Sequence, residues 1–197
     1  MSLLLLKSHA WTRRLLWRIA APRARDTYRY VKQYLRPGEK LLDIGPGICD
    51  VTLLFQKAGY PIIGVDVQDI SCTPLIKPVL YDGRTMPFTD QQFDTTLFLT
   101  VLHHIPKGQQ EQVLREAVRV SKRVLITEDV YRTVFAKYVT FAIDSLLNFE
   151  FIGHPHSNRD TQEWYQLFNK LPVKLQVVGR RKLFGFLRQE VYMLEAR

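Results

Sequence analysis

The segment Leu41-Leu42-Asp43-Ile44-Gly45-Pro46-Gly47-Ile48-Cys49 decides the fold. Residues 39–45 read as a short strand buried on both faces, because the apolar positions run together instead of alternating with polar ones. Residues 51–58 behind the turn read as a helix. Glycines where a strand meets its helix let the backbone approach a ligand, and the helix N-terminus favours polar or anionic groups. Residues 61–67 predict a second strand that ends at Asp66, 19 residues after Gly47. A carboxylate at that strand end can accept both hydroxyls of a ribose. A lone Gly-x-Gly is a weak signal; the strand before it, the helix after it and the acid at the next strand end make it a strong one.

Outward from this unit the alternation continues. Residues 93–100 predict a third buried strand, residues 107–121 a helix, and residues 123–128 another strand. Strands alternating with helices mean a parallel sheet covered on both faces, an α/β doubly wound architecture. The end of the chain differs. Residues 174–180 and 190–195 are two strands close in sequence, with Gly185 between them, and predict an antiparallel hairpin. Asp160 and Glu163 are spaced as a capping box opening a helix through about Asn169.

Length and composition agree with one domain. The chain has 197 residues, 46% apolar and 24% charged, the profile of a soluble globular protein. Such a chain buries about 70% of its unfolded surface and needs neither disulfide nor metal to fold. Two cysteines, Cys49 and Cys72, exclude a disulfide-stapled scaffold. No run of apolar residues is long enough to predict a spanning helix. The net charge of +9 is unevenly placed: residues 1–40 carry ten Lys or Arg against Asp26 and Glu39, whereas residues 41–197 carry 18 basic and 17 acidic side chains. A near-neutral main domain argues against a nucleic-acid groove built across it.

The turn also selects its ligand. A dinucleotide fingerprint wants glycine at Asp50, where an aspartate repels pyrophosphate, and Asp43 suits a cationic ligand better than a phosphate. A ligand with ribose, adenine and an amino-acid tail but no phosphate fits, and S-adenosylmethionine (SAM) is such a ligand. Residues Leu42-Asp43-Ile44-Gly45-Pro46-Gly47 resemble motif I of the class I SAM-dependent methyltransferases. Asp66 matches their ribose acid. The run Tyr81-Asp82-Gly83-Arg84-Thr85-Met86-Pro87-Phe88 followed by Gln92-Phe93-Asp94, and then Val101-Leu102-His103-His104-Ile105, is similar to the family's adenine loop and fourth-strand region. The resemblance covers about residues 40–130. It implies a Rossmann-like, seven-stranded, mostly parallel sheet and SAM as cofactor. It also implies cofactor contacts from Asp43, Gly45, Pro46, Gly47, Asp66, Val67, Asp82, Gly83, Leu99, Thr100 and His104. The family often has a third glycine where Cys49 stands, so Cys49 is expected to crowd the point where the helix nears the cofactor, while its thiol is read as buried and inert.

Methyl transfer from a sulfonium asks the protein chiefly to align two groups in a dry pocket, with a general base where the acceptor must lose a proton. Candidate bases are Glu128, His154 and His156, with His104 and Asp129 behind them; no metal is expected. Residues 37–197 are read as the cofactor-binding domain, with a helical insertion over 131–170, apolar around residues 134–151, as a substrate cover. The expected acceptor is a small apolar or amphiphilic molecule, with quinone-biosynthesis methyltransferases as the nearest analogy. An RNA methyltransferase and a non-catalytic binding protein of the same fold are the alternatives.

Residues 1–36 are read as basic amphipathic helices. Leu4, Trp11, Leu15 and Ile19 recur at helical spacing beside Lys7, Arg14 and Arg18. Ala21-Pro22 is expected to end the first helix, with a second over about 24–36. The first 22 residues are expected to cover the site, to contact an anionic membrane surface, or to be removed as a presequence. The corresponding location is cytoplasmic with membrane association.

Overall fold

The computed structural model describes residues 10–130, 159–183 and 187–196. Helix α1 spans Ala10–Lys32, strand β1 Leu41–Ile44, helix α2 Asp50–Lys57 and strand β2 Ile62–Asp66. They are followed by β3 Val79–Leu80, β4 Phe93–Leu99, a 3₁₀ turn Leu102–His104 and α3 Lys107–Val120. The chain then forms β5 Ser121–Val130, α4 Thr161–Phe168, β6 Val173–Leu183 and β7 Leu187–Ala196. The seven strands make one sheet in the order β3-β2-β1-β4-β5-β7-β6. Every pairing from β3 to β5 is parallel, and β7 is antiparallel to both β5 and β6. This is the expected doubly wound sheet with its C-terminal hairpin.

Register makes the two faces. Leu97 of β4 lies beside Leu125 of β5 and Met193 of β7, while Phe98 lies beside Ile126 and Tyr192. Successive side chains point to opposite faces of a strand. The first row, with Leu41, therefore packs with Val31 of α1 and Phe55 of α2. The second row, with Leu42 and Ile44, packs with Val113, Leu114 and Ala117 of α3 and Trp164 and Phe168 of α4. The capping box of α4 forms as the sequence predicts: Asp160 accepts from the Glu163 backbone N–H at 2.8 Å, and Glu163 accepts from the Asp160 N–H at 2.9 Å. Residues 134–151 lie outside the described residues.

The N-terminal helix departs from expectation. It runs unbroken through Pro22 and ends at Lys32. Proline removes one backbone donor and clashes with the carbonyl one turn earlier, but Arg18 and Pro22 both stand on the exposed side, where water can take the freed carbonyl. Packing offsets the rest. Ala24 and Val31 are buried, Tyr28 meets Phe55 edge-on at 4.9 Å, and Trp17 packs against Cys49, Leu53 and Ile76. Arg181 of β6 closes the clasp, bonding Asp26 at 2.7 Å and lying over the Tyr30 ring at 4.1 Å. Gly179 sits at the register shift of β6, where an added Cβ would overlap the Tyr34 hydroxyl. Replacing Gly179 with alanine is expected to push α1 off the hairpin and cost about 1–3 kcal/mol, as overpacking does. Urea denaturation measures this; an unchanged midpoint would show that the tyrosines yield freely.

Candidate active site

The carboxyl ends of β1, β2 and β4 open into a cavity of ≈ 390 Å³ that α1 walls on the other side, within the size range of small-molecule sites. The turn after β1 forms its floor. Gly45 and Gly47 take left-handed backbone with φ of 65° and 55°, and a Cβ at Gly45 would overlap the Val101 side chain. Glycine is thus required at Gly45 twice over, by conformation and by space.

Cys49 adopts φ 64° as the residue before α2, a conformation that costs a side-chain-bearing residue about 1–2 kcal/mol. Its side chain is fully buried with Leu53 and Ile76 and does not line the cavity. The thiol is buried as expected, and the expectation that Cys49 crowds the cofactor is corrected: its chain neighbours Ile48 and Asp50 face the cavity, and the sulfur turns into the core. Burial pushes the thiol up, so it stays protonated.

Three carboxyls line the cavity: Asp43, Asp50 and Asp66. Asp43 accepts the Thr52 hydroxyl at 2.7 Å. Burial pushes it up to about 7, with Asp50 and Asp66 adding to the rise and Thr52 opposing it. Asp66 accepts from the backbone N–H of Val67 at 2.7 Å, and burial raises it too. Burial likewise raises Asp50, while Arg23 pulls it back. A site with this much buried acid selects a ligand that brings positive charge.

Thr100 is strained. This β-branched residue has φ 58°, uncommon enough to mark a functional position. Its N–H donates to Thr127 O at 2.8 Å, its hydroxyl donates to Leu99 O at 2.6 Å, and the same oxygen accepts from Arg23 Nη2 at 3.1 Å.

The structure brings Asp43, Gly45, Pro46, Gly47, Asp66, Val67, Leu99, Thr100 and His104 together around this one cavity. Asp82 and Gly83 are not among the cavity residues. Asp82 is exposed and caps its own loop, accepting from the Arg84 and Thr85 N–H groups at 2.8 and 3.0 Å. Glu128 does not line the cavity either. It is 0% exposed and accepts from the Leu102 N–H at 2.7 Å, with its other oxygen 2.7 Å from His103 Nδ1. Burial raises its carboxyl and His103 pulls it back. Asp129 accepts from Gln189 Nε2 at 3.0 Å on β7. His154 and His156 lie outside the described residues. Asp50, read from the sequence only as a reason against pyrophosphate, lines the cavity, and so do Leu16, Ile19, Ala20, Arg23 and Thr27 of α1, which the sequence did not single out as site residues. The amphipathic spacing of α1 marks an apolar face but does not say what that face covers.

A family of known domains described as "Methyltransferase domain" matches residues 42–124. A demethylmenaquinone methyltransferase of Streptomyces griseus is 32% identical over 143 residues, covering 65% of this chain and 58% of the relative. Another from Corynebacterium efficiens is 29% identical and covers 53% of this chain and 50% of its own. The chain thus spans about half the length of these two curated relatives. Among solved structures, the YcgJ protein of Bacillus subtilis superposes with a TM-score of 0.68 at 15% identity, over 88% of this chain and 99% of that one. Magnesium protoporphyrin IX methyltransferase from Synechocystis, solved with bound S-adenosylhomocysteine, gives 0.63 at 15% identity over 91% and 84%. The sheet order, the glycine turn and the acid at the end of β2 agree with these likenesses: the chain has the fold of the class I SAM-dependent methyltransferases and resembles that family, whose cofactor is S-adenosylmethionine, most directly over residues 42–124.

Proposed function

We propose that the protein transfers a methyl group from SAM to a small apolar or amphiphilic acceptor, one with a quinone-like nucleus. The observation that carries this is the make-up of the cavity: three carboxyls and the glycine turn share its lining with the apolar side chains of Leu16, Ile19, Ala20, Val101 and Ile105. The donor set fits SAM. Asp66 suits the ribose diol, the left-handed turn at Gly45 and Gly47 leaves room for close backbone approach, and Asp43 and Asp50 suit the ammonium and sulfonium charges. When bound, the cofactor supplies a methyl electrophile that needs no activation by the protein. The chain's own part is to hold an acceptor against it in an apolar, water-poor wall. Among the described candidate bases, His104 lines the cavity, which makes it the candidate to take a proton from an acceptor that must lose one.

The relatives that are demethylmenaquinone methyltransferases support an acceptor of this class. The outer face of α1 supports delivery from an anionic membrane. Trp11, Leu15 and Ile19 are 66, 50 and 53% exposed along one stripe, beside exposed Arg13, Arg14 and Arg18. Ile19 belongs both to this stripe and to the cavity wall. Such a helix lies in the headgroup region with its apolar side down. Among the described residues no helix is long and apolar enough to cross a membrane.

The test supplies methyl-labelled SAM with a demethylated naphthoquinol in phosphatidylglycerol-containing vesicles, and with total RNA in parallel. Label is expected in the solvent-extracted quinone; label in RNA alone, or in neither, rejects the reading. Sedimentation with the same vesicles tests the membrane surface. The double change Trp11→Ser with Leu15→Ser is expected to cut vesicle binding about tenfold or more, since each buried side chain is worth about 1.5–3 kcal/mol. Equal binding by the variant would remove the membrane contact.

A further inference from the structure

We infer that Arg23 of α1 receives the carboxylate of the cofactor's amino-acid tail, which makes the N-terminal helix a working part of the cofactor site and not only its cover. The inference rests on the reading of the cavity as a SAM site.

Asp43, Asp50 and Asp66 suit the positive and hydroxyl groups of SAM, but the same three acids oppose its carboxylate. Among the described cavity residues Arg23 is the one Lys or Arg. Its guanidinium stands at Thr100, bonded to the hydroxyl at 3.1 Å, and close enough to Asp50 to pull that carboxyl down. The Thr100 bond occupies one of five guanidinium donors, and a planar fork is the geometry that matches a carboxylate. Position supports the same role. Arg23 lies between the two places where α1 is fixed, the Trp17 contact with the α2 cluster and the Arg181 clasp at Asp26 and Tyr30. The helix therefore holds the cation in place before ligand arrives.

The test compares two ligands that differ by this group alone, SAM and decarboxylated SAM, by calorimetry on the full chain. Arg23→Met keeps the stem and removes the fork. It is expected to weaken SAM about tenfold, the scale of one charge-assisted hydrogen bond, while leaving the decarboxylated ligand unchanged. Arg23→Lys is expected to recover part of the loss. Unliganded melting temperature is read alongside. Equal weakening of both ligands, or no weakening of either, overturns the inference, the first showing a structural role and the second showing that turn N–H groups hold the carboxylate. Failure of the wild-type chain to bind either ligand would instead overturn the cofactor reading beneath it.

Discussion

Glu128→Ala is expected to lower the stability of the folded chain by about 3–5 kcal/mol, the loss that follows when one partner of a buried pair is removed. The carboxyl lies in the interior, holding the Leu102 N–H with one oxygen and His103 with the other. Alanine leaves two buried donors without their acceptor, each costing about 1–3 kcal/mol. The same loss should travel to the cofactor. Leu102 and His103 sit between Val101 and His104, which both line the cavity, and Val101 also packs against Gly45. Glu128 thus acts as a positioning residue for the loop after β4. Urea denaturation and SAM calorimetry read the two effects together. Glu128→Gln, which can still accept from Leu102, should fall between wild type and alanine in both. A variant with wild-type stability and affinity but lost turnover would return Glu128 to the role of base that its place at a strand end suggests.

Glu128 shows where sequence reading stops. An acid near the carboxyl end of a parallel strand is a sound candidate for a crevice residue, because that is the edge on which ligands bind. Whether its side chain points to the crevice or behind the neighbouring loop depends on the pleat, and a shift of one residue reverses it. Asp66 faces the cavity and Glu128 does not, though both follow from the same rule. The fold was legible for a different reason. The turn at Gly45, the buried runs and the hairpin are local signals that agree with one another, and agreement across levels is what specifies a fold. The two-residue strand β3 carries too little pattern to be read, and it exists because β2 offers Val65 and Asp66 as pairing partners.

The N-terminal helix was half legible. Its apolar and basic stripes are in the sequence, but Pro22 reads locally as a stop, and only the contacts with Phe55, Cys49 and Arg181 carry the helix past it. Arg23 follows directly from that continuity. A helix ending at Ala21 would have left this side chain in a linker with no fixed relation to Thr100. Cys49 is the reverse case. The missing glycine was visible, but its consequence lies in backbone strain and core packing, not in the cavity.

Asp43→Asn should weaken SAM binding by about 30–100-fold at pH 8, since it removes one buried charge facing a cation, an interaction of about 2–3 kcal/mol. The pH dependence identifies the cause. Asp43 is raised by burial to about 7 in the unliganded protein, so the folded state holds the proton that the unfolded chain releases near pH 4. Its contribution to folding is therefore fully present below about pH 4, is lost as pH rises through about 7, and is constant above that. Ligand binding has the opposite sign. A cationic ligand favours the carboxylate, so below about pH 7 binding must expel the proton, and affinity should fall up to about tenfold per pH unit. The asparagine variant can still meet the Thr52 hydroxyl but has no proton to lose. Its binding should depend less on pH, meeting the wild-type curve near pH 5, and its unliganded form should be more stable than wild type at pH 8. Asp50 and Asp66 also titrate in the cavity, and subtracting the variant's curve removes their share. Calorimetry from pH 5 to 8.5, in two buffers of different ionisation enthalpy, counts the proton directly. Parallel curves for wild type and variant would mean that Asp43 serves the turn through Thr52 and not the ligand's charge.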